Sequence, residues 1–124
     1  MLSIFERTVL RTIYGPVNDE GSWRKRYNYE LYQIFKEPDV CREIKARRVR
    51  WLGHICRKDE NDPCKKLTLI IPFATRKVGR PHLRWLDEVE KDVIAAGFRG
   101  WKTNVLDRRT WRSIVGAVKA RTRL

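Results

Sequence analysis

"DVCREIKARRVRWLGHICR" (residues 39–57) is the longest helical pattern in this 124-residue chain. Its apolar side chains recur at helical spacing and predict an inward face formed by Val40, Ile44, Trp51, Leu52 and Ile55. Pro38 ends the preceding pattern, and Asp39 can cap the new helix. Gly53 costs about 1 kcal/mol inside a helix, so we expect that it allows another helix to approach closely or marks a bend.

Helical periodicity continues downstream. A helix that begins near Pro81 and ends at Gly97 has its apolar positions at Leu83, Leu86, Val89, Val93 and Ile94. A final helix over about residues 104–120 carries Trp111, Ile114, Val115 and Val118 on one face. Between residues 57 and 81 the pattern is less clear. "KDENDPCKK" reads as a charged connector, and "LTLIIPFAT" (67–75) fits either a short strand or a buried extended segment.

Two shorter helices are predicted upstream. Residues 2–13 place Ile4, Phe5, Val9, Leu10 and Ile13 on one side, and Ser3 with Glu6 fits a capping box. Residues 14–23 contain Gly, Pro and Asn and read as a loop. A second helix opens at Asn28, with Leu31, Ile34 and Phe35 facing inward. The predicted fold is all-α: a small irregular bundle of about four to five helices joined by basic loops, with a single domain over 1–120 and a frayed basic tail over 121–124.

Charge is the strongest compositional signal. Lys and Arg total 28 against 15 Asp and Glu, a net charge of +13. Residues 1–40 carry equal numbers of basic and acidic side chains, so the excess lies in residues 41–124. Such an excess favours a polyanionic partner, RNA or DNA. No run approaches the roughly twenty apolar residues of a membrane span, and Arg7 and Arg11 interrupt the first apolar stretch. We therefore expect an intracellular, nuclear protein with reduced thiols and no membrane partner.

Basic residues cluster in three places. The central helix carries Arg42, Lys45, Arg47, Arg48, Arg50 and Arg57, which can line up on a phosphate backbone. The alternative is a solvated face that pairs with carboxylates such as Glu43. "RKVGRP" (76–81), with Lys77 and Arg80 and then Arg84, resembles half of an AT-hook, whose Arg enters a narrow minor groove. Val78 stands where the first Arg of that motif would be, and the alternative is ordinary helix-start chemistry. Arg108, Arg109 and Arg112 form the third cluster.

Other constellations favour structural interpretations. Asp87, Glu88, Glu90 and Asp92 come from one amphipathic helix and read as a solvated face that pairs with Arg from neighbouring helices. The spacing of the three Cys and two His does not match a zinc knuckle. We therefore expect no catalytic residue, metal or cofactor. Trp51, Trp85 and Trp111 lie on apolar stripes and are assigned to the core, whereas Trp101 is the freer candidate for base stacking.

Several stretches together resemble one family. Arg50-Trp51-x-Gly53-His54, Gly79-Arg80-Pro81 with Trp85, and Asp107-Arg108 with Trp111-Arg112 are similar to the C-terminal tail of reverse transcriptases from non-LTR (LINE-type) retrotransposons, from about Val9 to Ala120. The apolar segment 67–75 departs from that family, which usually has a polar connector there. The resemblance implies a region beyond the polymerase thumb that helps to hold template RNA or target DNA. The chain has neither a Tyr-x-Asp-Asp polymerase motif nor an apurinic-type endonuclease motif.

The functional hypothesis follows from charge and resemblance together. The chain is expected to be a nucleic-acid-binding remnant of a retrotransposon reverse transcriptase. It should contact RNA or DNA backbones largely without sequence preference and not act as an enzyme. The expected phosphate contacts are Arg42, Lys45, Arg47, Arg48, Arg50, Arg57, Lys77, Arg80, Arg84, Arg108, Arg109 and Arg112. The alternative is a structural or protein-interaction domain that docks on upstream polymerase domains or on an acidic protein.

Overall fold

The computed structural model describes residues 1–70, 78–79 and 84–121. Within that part, the elements are α1 (Leu2–Tyr14), β1 (Val17–Asp19), β2 (Ser22–Arg24), α2 (Asn28–Phe35), α3 (Val40–Cys56), α4 (Pro63–Leu69), α5 (Trp85–Ala95), α6 (Trp101–Asn104) and α7 (Arg108–Ala120). The prediction of a mostly helical chain is confirmed. The finer prediction of an all-α bundle of four to five helices is wrong, because the described residues form seven helices and a two-stranded sheet.

Packing divides the chain into two compact units, Met1–Ile44 (unit 1) and Lys45–Leu124 (unit 2), and the division falls inside α3. The single domain over 1–120 stays a prediction. α7 ends at Ala120, and of the predicted tail only Arg121 is among the described residues.

A β-hairpin in unit 1 replaces the loop predicted over 14–23. β1 and β2 pair antiparallel, with Asn18 opposite Trp23. The two connecting residues, Glu20 and Gly21, both have positive φ, 49° and 90°, as the favoured two-residue hairpin turns require. The side-chain oxygen of Asn18 accepts a hydrogen bond from the Gly21 N–H at 2.9 Å. Local turn chemistry therefore makes a hairpin where composition alone indicated a loop.

Glu6 organises the helices of unit 1. Its carboxylate accepts hydrogen bonds from the Tyr32 hydroxyl at 2.9 Å and from the Val40 N–H at 3.0 Å. The predicted capping box of Ser3 with Glu6 is therefore wrong, and α1 has no side-chain cap. Glu6 instead joins α1 to α2 and to the first turn of α3.

The predicted inward face of α1 is largely exposed. Of its five apolar residues Leu10 is buried, whereas Phe5 is 69% exposed and Ile13 is 67% exposed. The spacing i, i+3, i+7, i+11 gives α1 an apolar stripe on the surface, made by Leu2, Phe5, Val9 and Ile13. Periodicity identifies apolar positions correctly, but it does not report how many neighbouring elements will cover them.

The core of unit 2 is built by α3, α5, α6 and α7. Its buried members include Ala46, Val49, Leu52, Cys56, Val89, Val93, Trp101, Val105, Trp111, Ile114, Val115 and Val118. The four predicted core positions of α7 are confirmed, as are Leu52 and Ile55 of α3 and Val89 and Val93 of α5.

The tryptophans depart from the prediction in three of the four assigned positions. Trp51 is 47% exposed and Trp85 is 37% exposed, so the core assignment of both is wrong. Trp101, predicted to be the freer ring, is only 3% exposed. Its indole N–H donates to Glu90 Oε1 at 3.1 Å, which satisfies the polar edge of a ring that is otherwise buried.

Aspartates set the beginning of three helices. Asp39 accepts a hydrogen bond from the Arg42 N–H at 2.9 Å, as predicted. Asp62 accepts hydrogen bonds from two backbone N–H groups and opens α4 inside the predicted connector. Asp107 does the same for α7. The helix predicted over about 104–120 therefore begins at Arg108, and Trp101–Asn104 form a separate short helix, α6.

The region around the Gly-Arg-Pro loop is described in part. Residues 67–75 are predicted as a strand or an extended segment, but Leu67–Leu69 belong to helix α4, so the prediction is wrong for these three residues. Residues 71–75 lie outside the described residues. α5 begins at Trp85 with Arg84 at its N-cap position, and Pro81 is outside the described residues. The predicted terminator Gly97 follows α5 with φ 98°.

A close contact between α3 and α7 holds unit 2 together. A Cβ built on Gly53 would lie 2.1 Å from Nε1 of Trp111, so only glycine leaves room for the indole. The same indole N–H donates to the carbonyl oxygen of Val49 at 2.9 Å. The predicted close approach at Gly53 is confirmed, and its partner is α7.

We predict opposite effects for two glycine substitutions. Gly53→Ala should lower the free energy of unfolding by about 1–3 kcal/mol, because the methyl group overlaps the Trp111 ring. Gly116→Ala, on the open side of α7 with no atom within 4 Å of its Cβ, should raise it by up to about 1 kcal/mol through helix propensity. Urea denaturation followed by circular dichroism measures both. A neutral Gly53→Ala would contradict the proposed contact.

An ion pair in unit 1 gives a second prediction. Arg24 donates two hydrogen bonds to Glu30, at 2.8 and 3.0 Å, and the Arg24 guanidinium lowers the pKa of Glu30 from 4.5 to about 2. Since the folded pKa is below the unfolded one, this carboxylate stabilises the fold above about pH 4.5, and that stabilisation is lost as the pH falls toward 2.

The free energy of unfolding of unit 1 should therefore fall less steeply between pH 4.5 and 2 in the Glu30→Gln variant than in the unchanged chain. The measurement is the urea midpoint of unit 1 amide signals in NMR spectra recorded at several pH values. Glu20→Gln is the matched control, because Glu20 is exposed in the hairpin turn. An equal flattening by both variants would contradict a specific role of the pair.

Candidate nucleic-acid interface

α7 carries its cations on one stripe. Arg108, Arg112 and Lys119 follow at i, i+4 and i+11, which places them on one side of the helix with Val115 between them. The start of the helix is fixed by Asp107, whose pKa is lowered by hydrogen bonds from the Thr110 hydroxyl and from backbone N–H groups. The apolar face of the same helix is buried, so the basic stripe lies along the edge of the core.

Arg50 of α3 and Arg57, which directly follows the last residue of α3, lie toward the same place. They are seven residues apart, and the Arg57 N–H still donates to the Gly53 carbonyl oxygen at 3.2 Å, so the helical spacing extends to Arg57. A groove of about 480 Å³, here called the basic groove, lies between α3 and α7. It is lined by Arg50, Arg57, Arg108, Trp111, Arg112, Val115, Gly116 and Lys119. Five of these eight described residues are cationic and none carries a carboxylate.

The guanidinium groups of the groove have few competing partners. Arg57 Nη1 donates to the carbonyl oxygen of Val105 at 2.8 Å, which orients the group without neutralising it. Arg50, Arg108 and Arg112 are exposed. Within residues 1–70, 78–79 and 84–121, no carboxylate forms an ion pair with these three. Each offers up to five N–H donors in a planar fork, which suits the oxygens of a phosphate.

Other predicted phosphate contacts are engaged by carboxylates. Arg42 Nε lies 3.1 Å from Asp39 Oδ2, within unit 1. Lys45 Nζ lies 2.9 Å from Asp92 Oδ1, and this pair joins α3 to α5. Both cations therefore have a structural partner in place, which an incoming phosphate would have to displace.

The remaining predicted residues lie apart from the groove or outside the described chain. Arg47 and Arg48 are exposed on α3, and Arg109 is exposed on α7, but none of them lines the basic groove. Arg84 lines a different cavity of about 840 Å³ beside Trp51, Trp85 and Lys102, which also includes two carboxylates. Lys77 and Arg80 are outside the described residues.

Lys119 is a groove residue that sequence reasoning missed. The signal was present, since Lys119 follows Arg112 by seven residues on the same side of α7. Twelve residues were predicted as phosphate contacts, and the structure brings Arg50, Arg57, Arg108 and Arg112 together.

The carboxylates of α5 and the cysteine thiols show no arrangement typical of a metal site among the described residues. Asp92 of α5 pairs with Lys45 of α3, and Glu88 lies 3.2 Å from Lys91 of its own helix. The predicted pairing with a neighbouring helix is found for Asp92, but its partner is a lysine and not the predicted arginine. The three cysteines are free thiols, and burial raises the pKa of the Cys56 thiol.

Within the described part of the chain, no group of three or more His, Cys, Asp or Glu could hold a metal ion. None of the described helices is long and apolar enough to cross a membrane.

Comparison with known proteins gives one informative similarity. The chain is 27% identical over 111 residues to the uncharacterized transposon-derived protein F52C9.6 of Caenorhabditis elegans. The match covers 85% of this chain but only 40% of the length of that relative. No protein-family model matches the sequence, and no solved structure matches it. The similarity supports a transposon-related origin for the chain.

Proposed function

We propose that the basic groove binds the sugar–phosphate backbone of RNA or DNA, and that the chain is a nucleic-acid-binding remnant of a non-LTR reverse transcriptase without catalytic motifs of its own. The resemblance of three stretches of sequence to that family and the similarity to a transposon-derived relative support the origin. The proposal depends on one observation: arginines from two helices line a single groove that includes no carboxylate among its described residues.

Arginine chemistry favours phosphate as the ligand. A guanidinium matches two phosphate oxygens with parallel N–H donors, and its charge stays on at any physiological pH. Arg57 is already oriented by Val105, so less conformational freedom is lost when it binds. Contacts of this kind position a strand without reading its bases. We therefore expect little sequence preference, and the predicted nuclear location stays part of the proposal.

The number of arginines sets the expected salt dependence. Four guanidiniums that each contact one phosphate would neutralise about four phosphate charges and release the counterions that those charges hold. On duplex DNA, the logarithm of affinity should then fall against the logarithm of salt concentration with a slope of about −3.6. A groove that merely attracts anions without defined contacts would give a shallower dependence.

We predict that Arg50→Ala with Arg112→Ala will weaken binding and make that slope less steep by about 1.8, since two phosphate contacts are removed. Arg48→Ala with Lys66→Ala is the matched control, because it removes the same charge from exposed positions of unit 2 that do not line the groove. The measurement is fluorescence anisotropy of a labelled duplex and of a labelled single-stranded RNA at several salt concentrations.

Equal effects of the two double variants would show that net charge, and not the groove, controls binding. That result would contradict the proposal. Circular dichroism of each variant separates loss of binding from loss of folding, and unchanged melts are expected because these side chains are exposed.

A specific observation favours a second candidate function, a domain that docks on other proteins. The apolar stripe of α1, with Phe5 69% exposed and Ile13 67% exposed, is a surface that a protein partner could cover. On this alternative, the positive charge serves contacts with polymerase domains or with an acidic protein. Binding to a polyglutamate peptide as strong as binding to RNA, and equally sensitive to salt, would favour it over the nucleic-acid proposal.

A further inference from the structure

Unit 1 is nearly neutral in net charge, but its charges are separated in space. Asp19 and Glu30 both bind Arg24. Glu6 accepts hydrogen bonds from Tyr32 and from the backbone of α3, and Asp39 pairs with Arg42. Four carboxylates of residues 1–40 are thus committed to other partners, and Arg11, Lys25 and Arg26 form no ion pair with a carboxylate of the described residues.

These three cations line one groove. A groove of about 780 Å³, here called the hairpin groove, lies beside the end of α1 and the start of α2, and its lining includes Arg11, Lys25, Arg26 and Tyr27. The described residues that line it include no carboxylate. Its volume falls in the range of roughly 300–1,000 Å³ that small-molecule sites occupy, well above the size of a bare phosphate ion.

Neutral acceptors hold the two arginines in place. Arg11 donates through Nε to the Arg26 carbonyl oxygen at 3.2 Å and through Nη2 to Asn28 Oδ1 at 2.6 Å. Arg26 Nε donates to the Gly15 carbonyl oxygen at 3.0 Å. These bonds orient the guanidiniums but do not neutralise them, and most of their N–H donors stay available for an anion.

Glu30 is the carboxylate that acts on Arg26 through space. Both of its oxygens are already used, because one accepts from Arg24 at 2.8 Å and the other accepts from Arg24 and from the Tyr27 N–H at 2.6 Å. Glu30 does not line the groove, and the Arg24 guanidinium compensates its charge.

An aromatic ring stands at the same groove. Tyr27 is 54% exposed, and its ring is fixed by Arg24, 4.3 Å from the ring centroid, and by Tyr29, whose centroid lies 5.9 Å away. Arg24 and Tyr29 cover part of this ring, and its exposed remainder can contact a flat base at the side of the groove. Phosphate-binding donors and an exposed aromatic surface together fit a nucleotide better than an inorganic anion.

We propose that the hairpin groove is a second binding site, which takes a phosphorylated nucleoside, either free or as an unpaired residue of a strand. Arg11, Lys25 and Arg26 hold the phosphate, and the base lies against Tyr27. The site uses residues of unit 1 alone and does not depend on the basic groove of unit 2.

The test is an NMR titration of the full, ¹⁵N-labelled chain with adenosine 5′-monophosphate, inorganic phosphate and adenosine. We expect saturable amide shifts at Gly15 and at residues 25–28, at lower concentrations of the nucleotide than of phosphate or adenosine alone. Lys25→Glu should weaken nucleotide binding roughly fivefold at low salt. Lys36→Glu makes the same charge change at an exposed position of unit 1 outside the groove, and it should leave affinity unchanged.

Three outcomes would overturn the site: absence of shifts in unit 1, equal effects of the two lysine variants, or phosphate binding as tight as nucleotide binding. Shifts confined to residues 50–119 would overturn this site while supporting the basic groove, so the two proposals fail separately. An octa-adenylate arm distinguishes the two sources of the ligand. This arm uses the Arg50→Ala, Arg112→Ala chain, so that the basic groove contributes little, and it is read at the amides of Gly15 and residues 25–28. Tighter binding there than that of the mononucleotide identifies a residue of a strand, and equal binding identifies a free nucleotide.

Discussion

The position of α7 in unit 2 depends on one interaction, the Trp111 indole seated on Gly53 with its N–H bonded to the Val49 carbonyl oxygen. A glycine inside a helix is unfavourable in isolation, and here it opens the space that a large ring fills. The centroid of the Trp101 ring lies 6.0 Å from that of Trp111, and Trp101 in turn bonds to Glu90 of α5. One indole therefore connects α3, α7, α6 and α5.

This contact also determines where the charges lie. Trp111 precedes Arg112 and follows Arg108 by three residues, so fixing its ring on α3 fixes the side to which the basic stripe of α7 points. Arg50 belongs to the helix that carries Gly53, and Arg57 directly follows the last residue of that helix. The basic groove is thus a consequence of core packing, and it would not form from the same arginines on helices that pack in another register.

Sequence reasoning identified the helices well and their surroundings less well. Val89, Val93 and the apolar residues of α7 were predicted because a buried stripe repeats with the helical period. Trp51 has the same spacing but lies at the edge of the core, and Trp101 has no such spacing but is buried by its neighbours. Tertiary contacts determine how exposed these two rings are, and such contacts cannot be inferred from the spacing of residues in a single sequence.

Charge clustering along the sequence was an equally partial guide. Lys45 stands in the densest basic run, but it is paired with Asp92, which lies 47 residues away in the sequence. Lys119 stands outside the run and lines the groove. Residues 1–40 contain no net excess, yet they place Arg11, Lys25 and Arg26 in one groove because their carboxylates are engaged elsewhere. What matters for a polyanion is the charge left after pairing, and pairing is a property of the fold.

The basic stripe of α7 has an energetic consequence that links its stability to its proposed role. Arg108 and Arg112 are four residues apart on an exposed helix face, an arrangement that disfavours the helix by a few tenths of a kcal/mol. Burial of Trp111, Ile114 and Val118 on the other face outweighs that repulsion. An anion placed between the two guanidiniums would offset that repulsion, so the proposed binding of a phosphate would stabilise α7 as well as the complex.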